Sequence, residues 1–206
     1  MGGTFNPIHW GHLLMAESAL EQFGLGQVIW VPSHHPTHKQ RPLLDFAHRL
    51  EMVQQAIADH PKFVASALEH NQRTPSYAHE TFAQLYASDP AASWHWIIGV
   101  DAFQTLPHWR NSIDFVAQCV WLVAPRNHTI ISNIGLEVEK ALMDKSVPLR
   151  WRPLQMPQIE ISSSLIRQYC QIGRSLRYLV PESVRVYINT NNLYQMSASH
   201  PQSLAP

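Results

Sequence analysis

Apolar positions along the chain recur with two alternating periods. In "GHLLMAESALEQFGL", Leu13, Ala16, Leu20 and Phe23 repeat at helical spacing and stop near Gly24, which predicts an amphipathic helix. The run "QVIWVP" is short and continuously apolar, and Pro32 stops it, so it predicts a buried strand. "DFAHRLEMVQQAIAD" opens on Asp45, a residue suited to capping, and repeats Phe46, Leu50, Val53 and Ile57 on one helical face. The same reading predicts a strand at "KFVASAL", a helix near "YAHETFAQLYAS", and strands at "WHWIIGV" and "CVWLVAP". A helix near "IGLEVEKALM", a strand at "LRWRPLQ" and a helix beginning at "SSSLIRQY" follow. "PESVRVYIN" closes the pattern as a helix with Pro181 at its start.

Short apolar strands alternating with amphipathic helices specify an α/β fold, a parallel sheet with helices on both faces. No internal repeat and no shift of composition interrupts residues 1–190, which are expected to form one domain. From Asn191 the chain turns polar and rich in Pro and Ser, and this tail, 191–206, is expected to be disordered. Ligands of such sheets bind outside the carboxyl ends of the strands, where the winding reverses.

Composition narrows the function classes. With 206 residues, 45% hydrophobic and 15% charged, the chain can bury a core without staples and does not read as disordered. The formal net charge is zero, so no global basic field recruits nucleic acid or an acidic membrane, and neither partner is expected. An anionic ligand must then be held by local groups. Cys119 sits in an apolar run and Cys170 in a predicted helix, without zinc-like spacing, so both read as reduced thiols of a cytoplasmic protein. The apolar runs are too short for a signal peptide or a membrane span to be expected.

The first twelve residues, "MGGTFNPIHWGH", carry the strongest chemistry. Gly2 and Gly3 let a ligand approach the backbone, and Pro7 stiffens the following turn. If a helix starts near Ile8, His9 and His12 leave its first turn on one side. Helix N-termini attract anions, so this arrangement suits a phosphate cradle. The order of Gly3, Phe5, Pro7, His9, Gly11 and His12 resembles the G-x-F-x-P-x-H-x-G-H signature of the nucleotidyltransferase superfamily. "ISSSLIRQ" opens a helix with three serines, and Arg167 follows Ser164 by one turn. Alone, that reads as a cap with a surface arginine. Beside the first motif, Ile161, Ser162, Ser163, Ile166 and Arg167 resemble the superfamily's I-S-S-T-x-I-R element, with Ser164 in the place where threonine is common.

In "WIIGVDAFQTLPHW", the strand delivers Gly99 and Asp101 to its carboxyl end. Asp101 reads either as an acceptor for a ribose hydroxyl or as a helix cap. Trp109 reads either as core or as a platform for an aromatic ring. Together with Lys39 in "VPSHHPTHK", Tyr77 and Thr81 in "SYAHETFAQL", and Arg126 in "LVAPR", these residues resemble bacterial nicotinate-nucleotide adenylyltransferases over roughly residues 1–190. Ala78 stands where that family often has threonine. His34, His35 and His38 share a proline-containing loop without a carboxylate or thiol cluster, so no dedicated metal site is expected. A mobile loop over the site, with Lys39 as its phosphate contact, is expected instead.

The resemblance implies a Rossmann-like nucleotidyltransferase fold and transfer of the adenylyl group of ATP to nicotinate mononucleotide. It implies Gly3, Thr4, Phe5, His9, His12, Gly99, Asp101, Ser163 and Arg167 as the ATP contacts, with His9, His12 and Arg167 catalytic. Lys39, Tyr77, Thr81, Trp109 and Arg126 are implied for the mononucleotide, and Mg²⁺ is expected to arrive with ATP. A homo-oligomer stays open. Rival readings are adenylylation of nicotinamide mononucleotide or phosphopantetheine, or a non-catalytic nucleotide-binding module. Relatives usually carry a short apolar strand before "GGTF". Here Met1 abuts Gly2, so that first strand is expected to be absent and the natural start to lie about six to ten residues upstream.

Overall fold

A computed structural model describes residues 1–36, 43–70, 75–126 and 131–195. Among the described residues six strands carry the architecture: β1 (Gly2–Gly3), β2 (Val28–Pro32), β3 (Phe63–Ala65), β4 (His95–Gly99), β5 (Val120–Ala124) and β6 (Trp151–Pro153). They pair in parallel as two three-stranded sheets, β1-β2-β3 and β4-β5-β6, and β1 lies against β4. The order read across both is 3-2-1-4-5-6, the doubly wound arrangement, with its reversal at β1 and β4.

Eight α-helices among the described residues cover the strands: α1 (Trp10–Phe23), α2 (Phe46–Ile57), α3 (Ala78–Ser88), α4 (Val100–Gln104), α5 (Ser112–Val116), α6 (Ile131–Met143), α7 (Ser163–Gln171) and α8 (Glu182–Thr190). Side-chain alternation along the strands divides the core between the two faces. Ile97, Leu122 and Ala124 join a cluster with α1, α2, α7 and α8 residues such as Leu20, Val53, Ile166 and Val184. Trp96, Ile98, Trp121 and Val123 point the other way, into a cluster with Phe82, Phe115, Val138 and Leu142 of α3, α5 and α6. Helices on both faces of parallel strands are what the apolar periodicity required.

Three expectations need correction. The first strand is present. It is only Gly2–Gly3, but the carbonyls of Met1 and Gly3 accept from Val31 N–H (3.0 Å) and Ser33 N–H (2.8 Å), and the Met1 amine donates to the Ile29 carbonyl at 2.8 Å. The strand is made by backbone bonding, which two glycines do not announce in a sequence. The expected tail begins too early. Leu193 is buried and the Tyr194 hydroxyl donates to Asn6 Oδ1 at 2.8 Å, so residues 191–195 are built into the fold; 196–206 lie outside the described residues. Finally, Asp45 stands at the N-cap of α2 without a side-chain cap bond, whereas Pro181 does stand at the start of α8, as its N-cap. Both thiols are free; burial pushes that of Cys119 up to about 12, and Cys170 is half-buried with its pKa also raised by burial.

Candidate active site

The turn between β1 and α1 is built around Phe5. Its ring is buried against Trp30 and meets His12 edge-on at 5.2 Å between centroids. A Cβ on Gly3 would sit 3.0 Å from the Phe5 ring, so the ring folds back over the strand only because residue 3 has no side chain. Phe5 adopts φ +44°, a left-handed conformation that non-glycine residues hold only where packing over-determines it.

His9 caps α1 and His12 lies in its first turn, as the spacing required. Their rings stack with centroids 3.7 Å apart and planes 29° apart. The His9 N–H donates to His12 Nδ1 at 3.3 Å, so in the neutral ring of His12 the proton is on Nε2. Burial first, then the nearby Arg126 charge, pull the His9 pKa down from 6.5 to about 4. His9 is therefore neutral at physiological pH, and its buried Nδ1 has no hydrogen-bond partner among the described residues. A Cβ on Gly11 would stand 3.1 Å from the same ring, which explains the glycine between the histidines.

The second motif folds onto the first. Ser162 caps α7, accepting from Leu165 N–H at 3.2 Å. The Ser163 hydroxyl donates to the Pro7 carbonyl at 2.9 Å. Arg167 donates through Nη1 to the Asn6 carbonyl at 2.7 Å and through Nη2 to Ser164 Oγ at 3.0 Å. Asn6 is thus held by Arg167 at its carbonyl and by Tyr194 at its side chain. Two helix starts, two histidines and a guanidinium converge on one turn, an arrangement suited to an anion.

Gly99, Asp101 and Arg126 lie at the carboxyl ends of β4 and β5, whereas Tyr77 and Thr81 lie at the start of α3 and Trp109 follows α4. Gly99 ends β4 and caps α4, with open space where a Cβ would point. Asp101 lies in the first turn of α4, not at its cap, and forms an ion pair with Arg126 just past β5. Tyr77 caps α3, and the Arg110 guanidinium sits 4.7 Å from its ring centroid. Trp109 is half-buried: its edge packs on Trp121 at 6.0 Å and its indole N–H donates to Thr105 Oγ1 at 2.9 Å. Thr81 is buried and its hydroxyl donates to Glu69 Oε1 at 2.6 Å, so it faces inward.

His34 and His35 lie 4.0 Å apart, ring to ring, with their N–H groups on Glu69 Oε2 and Ser76 Oγ at 2.9 Å each. Lys39 and His38, and with them the expected mobile loop, lie outside the described residues. Sequence reasoning passed over Asn6, Arg49, Glu69 and Tyr194. Only Arg49 carried a signal, as a charge three residues after Phe46 on the apolar face of α2. Among the described residues no group of three His, Cys, Asp or Glu side chains could hold a metal ion, and no helix is long and apolar enough to cross a membrane.

Known proteins share both pattern and fold. The sequence pattern of the cytidylyltransferase-like family matches residues 1–169. A protein of Trichormus variabilis named "probable nicotinate-nucleotide adenylyltransferase" is 46% identical over 198 residues, which cover 94% of each chain. A protein of the same name from Geobacillus thermodenitrificans is 38% identical over 194 residues, covering 94% of this chain and 83% of its own. Among solved structures, Plasmodium falciparum nicotinic acid mononucleotide adenylyltransferase complexed with NaAD superposes with a TM-score of 0.73 at 21% identity, covering 94% of both chains.

Proposed function

Because this chain belongs to the cytidylyltransferase-like family, and within it to the nicotinate-nucleotide adenylyltransferases, we propose that its site transfers the adenylyl group of ATP to nicotinate mononucleotide. The products are nicotinate adenine dinucleotide and pyrophosphate, in NAD synthesis. A phosphate oxygen of the mononucleotide attacks the α-phosphorus of ATP. The new P–O bond forms as the bond to the β-phosphate breaks, and its electron pair leaves with pyrophosphate. The attacking phosphate is already ionised near neutral pH, so the step needs no strong general base. It needs two anions held in line and the charge of the leaving group neutralised.

One observation carries this reading. Ser163 and Arg167 bind the Pro7 and Asn6 carbonyls, which brings both phosphate motifs to one turn from opposite ends of the chain. The Gly3–Phe5 turn, His9 and His12 are assigned to the ATP phosphates. His9, kept neutral by burial, polarises through its ring without adding a charge. Arg167 has N–H groups beyond the two already used, and with Ser163 it is assigned to the β- and γ-phosphates. Gly99 and Asp101 are assigned to the nucleoside of ATP. Tyr77, Trp109, Arg126 and Lys39 are assigned to the mononucleotide, with Trp109 stacking on its pyridinium ring. Thr81 serves that side from behind, through Glu69. Mg²⁺ enters with ATP, carried by phosphates and water. The reaction is assigned to the cytoplasm.

The test is product identification. Incubation with ATP, Mg²⁺ and nicotinate mononucleotide should yield nicotinate adenine dinucleotide and pyrophosphate in equal amounts. A chain that binds ATP but forms no dinucleotide would instead be a nucleotide-binding module.

A further inference from the structure

Arg49 is buried within the apolar stripe of α2, 1% exposed, yet among the described residues no carboxylate lies within ion-pair distance of it. Its partners are four backbone carbonyls. Nε donates to Leu44 at 2.8 Å, and Nη1 to Thr4 at 2.8 Å and Ser33 at 2.7 Å; Nη2 reaches His34 at 3.4 Å. Burial pulls its pKa down from the usual value, opposed by Tyr194, Glu69 and Asp45. An isolated buried cation is costly, and an apolar residue would fill the helix face without that cost. The contacts therefore point to what the guanidinium holds.

It holds two peptide planes beside the site. The Ser33–His34 peptide is gripped at both ends, its carbonyl by Arg49 and its N–H by Glu69 Oε2. Glu69 is itself buried and fixed by Thr81. The Thr4–Phe5 peptide is trans and is gripped at its carbonyl. In a planar trans peptide the N–H points opposite to the C=O, so the Phe5 N–H faces away from Arg49. Phe5 is buried, and its N–H makes no hydrogen bond among the described residues. Buried backbone donors are rarely left unpaired, and this one lies in the turn assigned to the ATP phosphates.

We propose that Arg49 and Glu69 are positioning residues for adenylyl transfer. They fix the Thr4–Phe5 and Ser33–His34 peptides from the protein side, so that the Phe5 N–H stands ready for a nucleotide phosphate oxygen. The chain leaving β2 is thereby set in one direction. The inference rests on the adenylyl-transfer reading, and two readouts separate them: product formation by the wild-type chain tests the reaction, and ATP affinity tests the positioning.

The experiment compares Arg49→Lys and Glu69→Gln with the wild type by thermal unfolding, by calorimetric titration with ATP, and by steady-state kinetics. Arg49→Lys keeps the charge but cannot span four carbonyls. Expected for the folded variant are an ATP Kd raised about tenfold and a kcat lowered at least about tenfold, with KM for the mononucleotide little changed. Glu69→Gln should move both in the same direction, less far. A purely structural role would lower Tm and leave affinity and kcat per folded molecule unchanged. A folded Arg49→Lys with Kd and kcat within about twofold of wild type overturns the proposal. If Arg49→Lys does not fold, Glu69→Gln decides on the same criterion; failure of both to fold assigns the pair to stability alone and overturns it too.

Discussion

Arg167 and Asn6, 161 positions apart, are joined by a 2.7 Å hydrogen bond from the guanidinium Nη1 to the backbone carbonyl. The bond does two things. It satisfies the Asn6 carbonyl, and it parks a positive charge at the turn. Lysine keeps the charge but loses the planar fork that serves Asn6 and Ser164 together. Arg167→Lys should therefore lower kcat/KM by about 10- to 100-fold, in line with loss of a positioned cationic donor, with Tm lowered by only a few degrees. Steady-state kinetics and a melting curve on the same preparation check both parts.

His12 stands in the first helical turn, stacked on His9. If its ring stabilises charge that develops as pyrophosphate departs, His12→Ala should lower kcat about 10²-fold or more. The fold should persist, because the ring is only half-buried. A variant with wild-type kcat and a depressed Tm would make the histidine structural.

The neutral state of His9 has a consequence for stability. Its folded pKa is about 4 against 6.5 for an ordinary imidazole, so below pH 6.5 the unfolded chain takes up a proton that the folded chain refuses. Stability should fall as pH drops from 6.5 to about 4, by about 3 kcal/mol in total, and level off below. His9→Gln should remove this loss. Urea unfolding at several pH values, for both chains, measures the difference.

Trp109 is anchored by Trp121 and Thr105, which leaves a fixed indole at the edge of the second core cluster. Stacking on a pyridinium ring requires Trp109→Ala to weaken the mononucleotide by about 1–2 kcal/mol while ATP affinity stays nearly constant. Equal losses for both ligands, with a large fall in Tm, would make the residue core only. Separate titrations with each substrate distinguish the two.

Much of this was legible in the sequence, and the failures share a cause. The α2 stripe of Phe46, Val53 and Ile57 is buried as its periodicity required. Periodicity also put Leu50 on that face, whereas Arg49 is the buried neighbour and Leu50 is half-exposed. A helical pattern fixes a face to about one position, and it has no term for a guanidinium satisfied by carbonyls of other segments. The convergence of His9, His12 and Arg167 on one turn was readable because two motifs of fixed side chains and spacing carry it. The β1 strand was not, because Met1–Gly3 pair through backbone groups that every sequence possesses. Tyr194 was missed for a related reason. The polar surroundings of "NNLYQ" gave no hint that its hydroxyl closes on Asn6.

The choice of acceptor is the point on which the whole reading turns. Pyrophosphate release should be followed at saturating ATP and Mg²⁺ while nicotinate mononucleotide and nicotinamide mononucleotide are varied in turn. The expected result is turnover with both kcat/KM values measurable and the acid clearly preferred. A higher kcat/KM for the amide, or no pyrophosphate release with the acid, would contradict it.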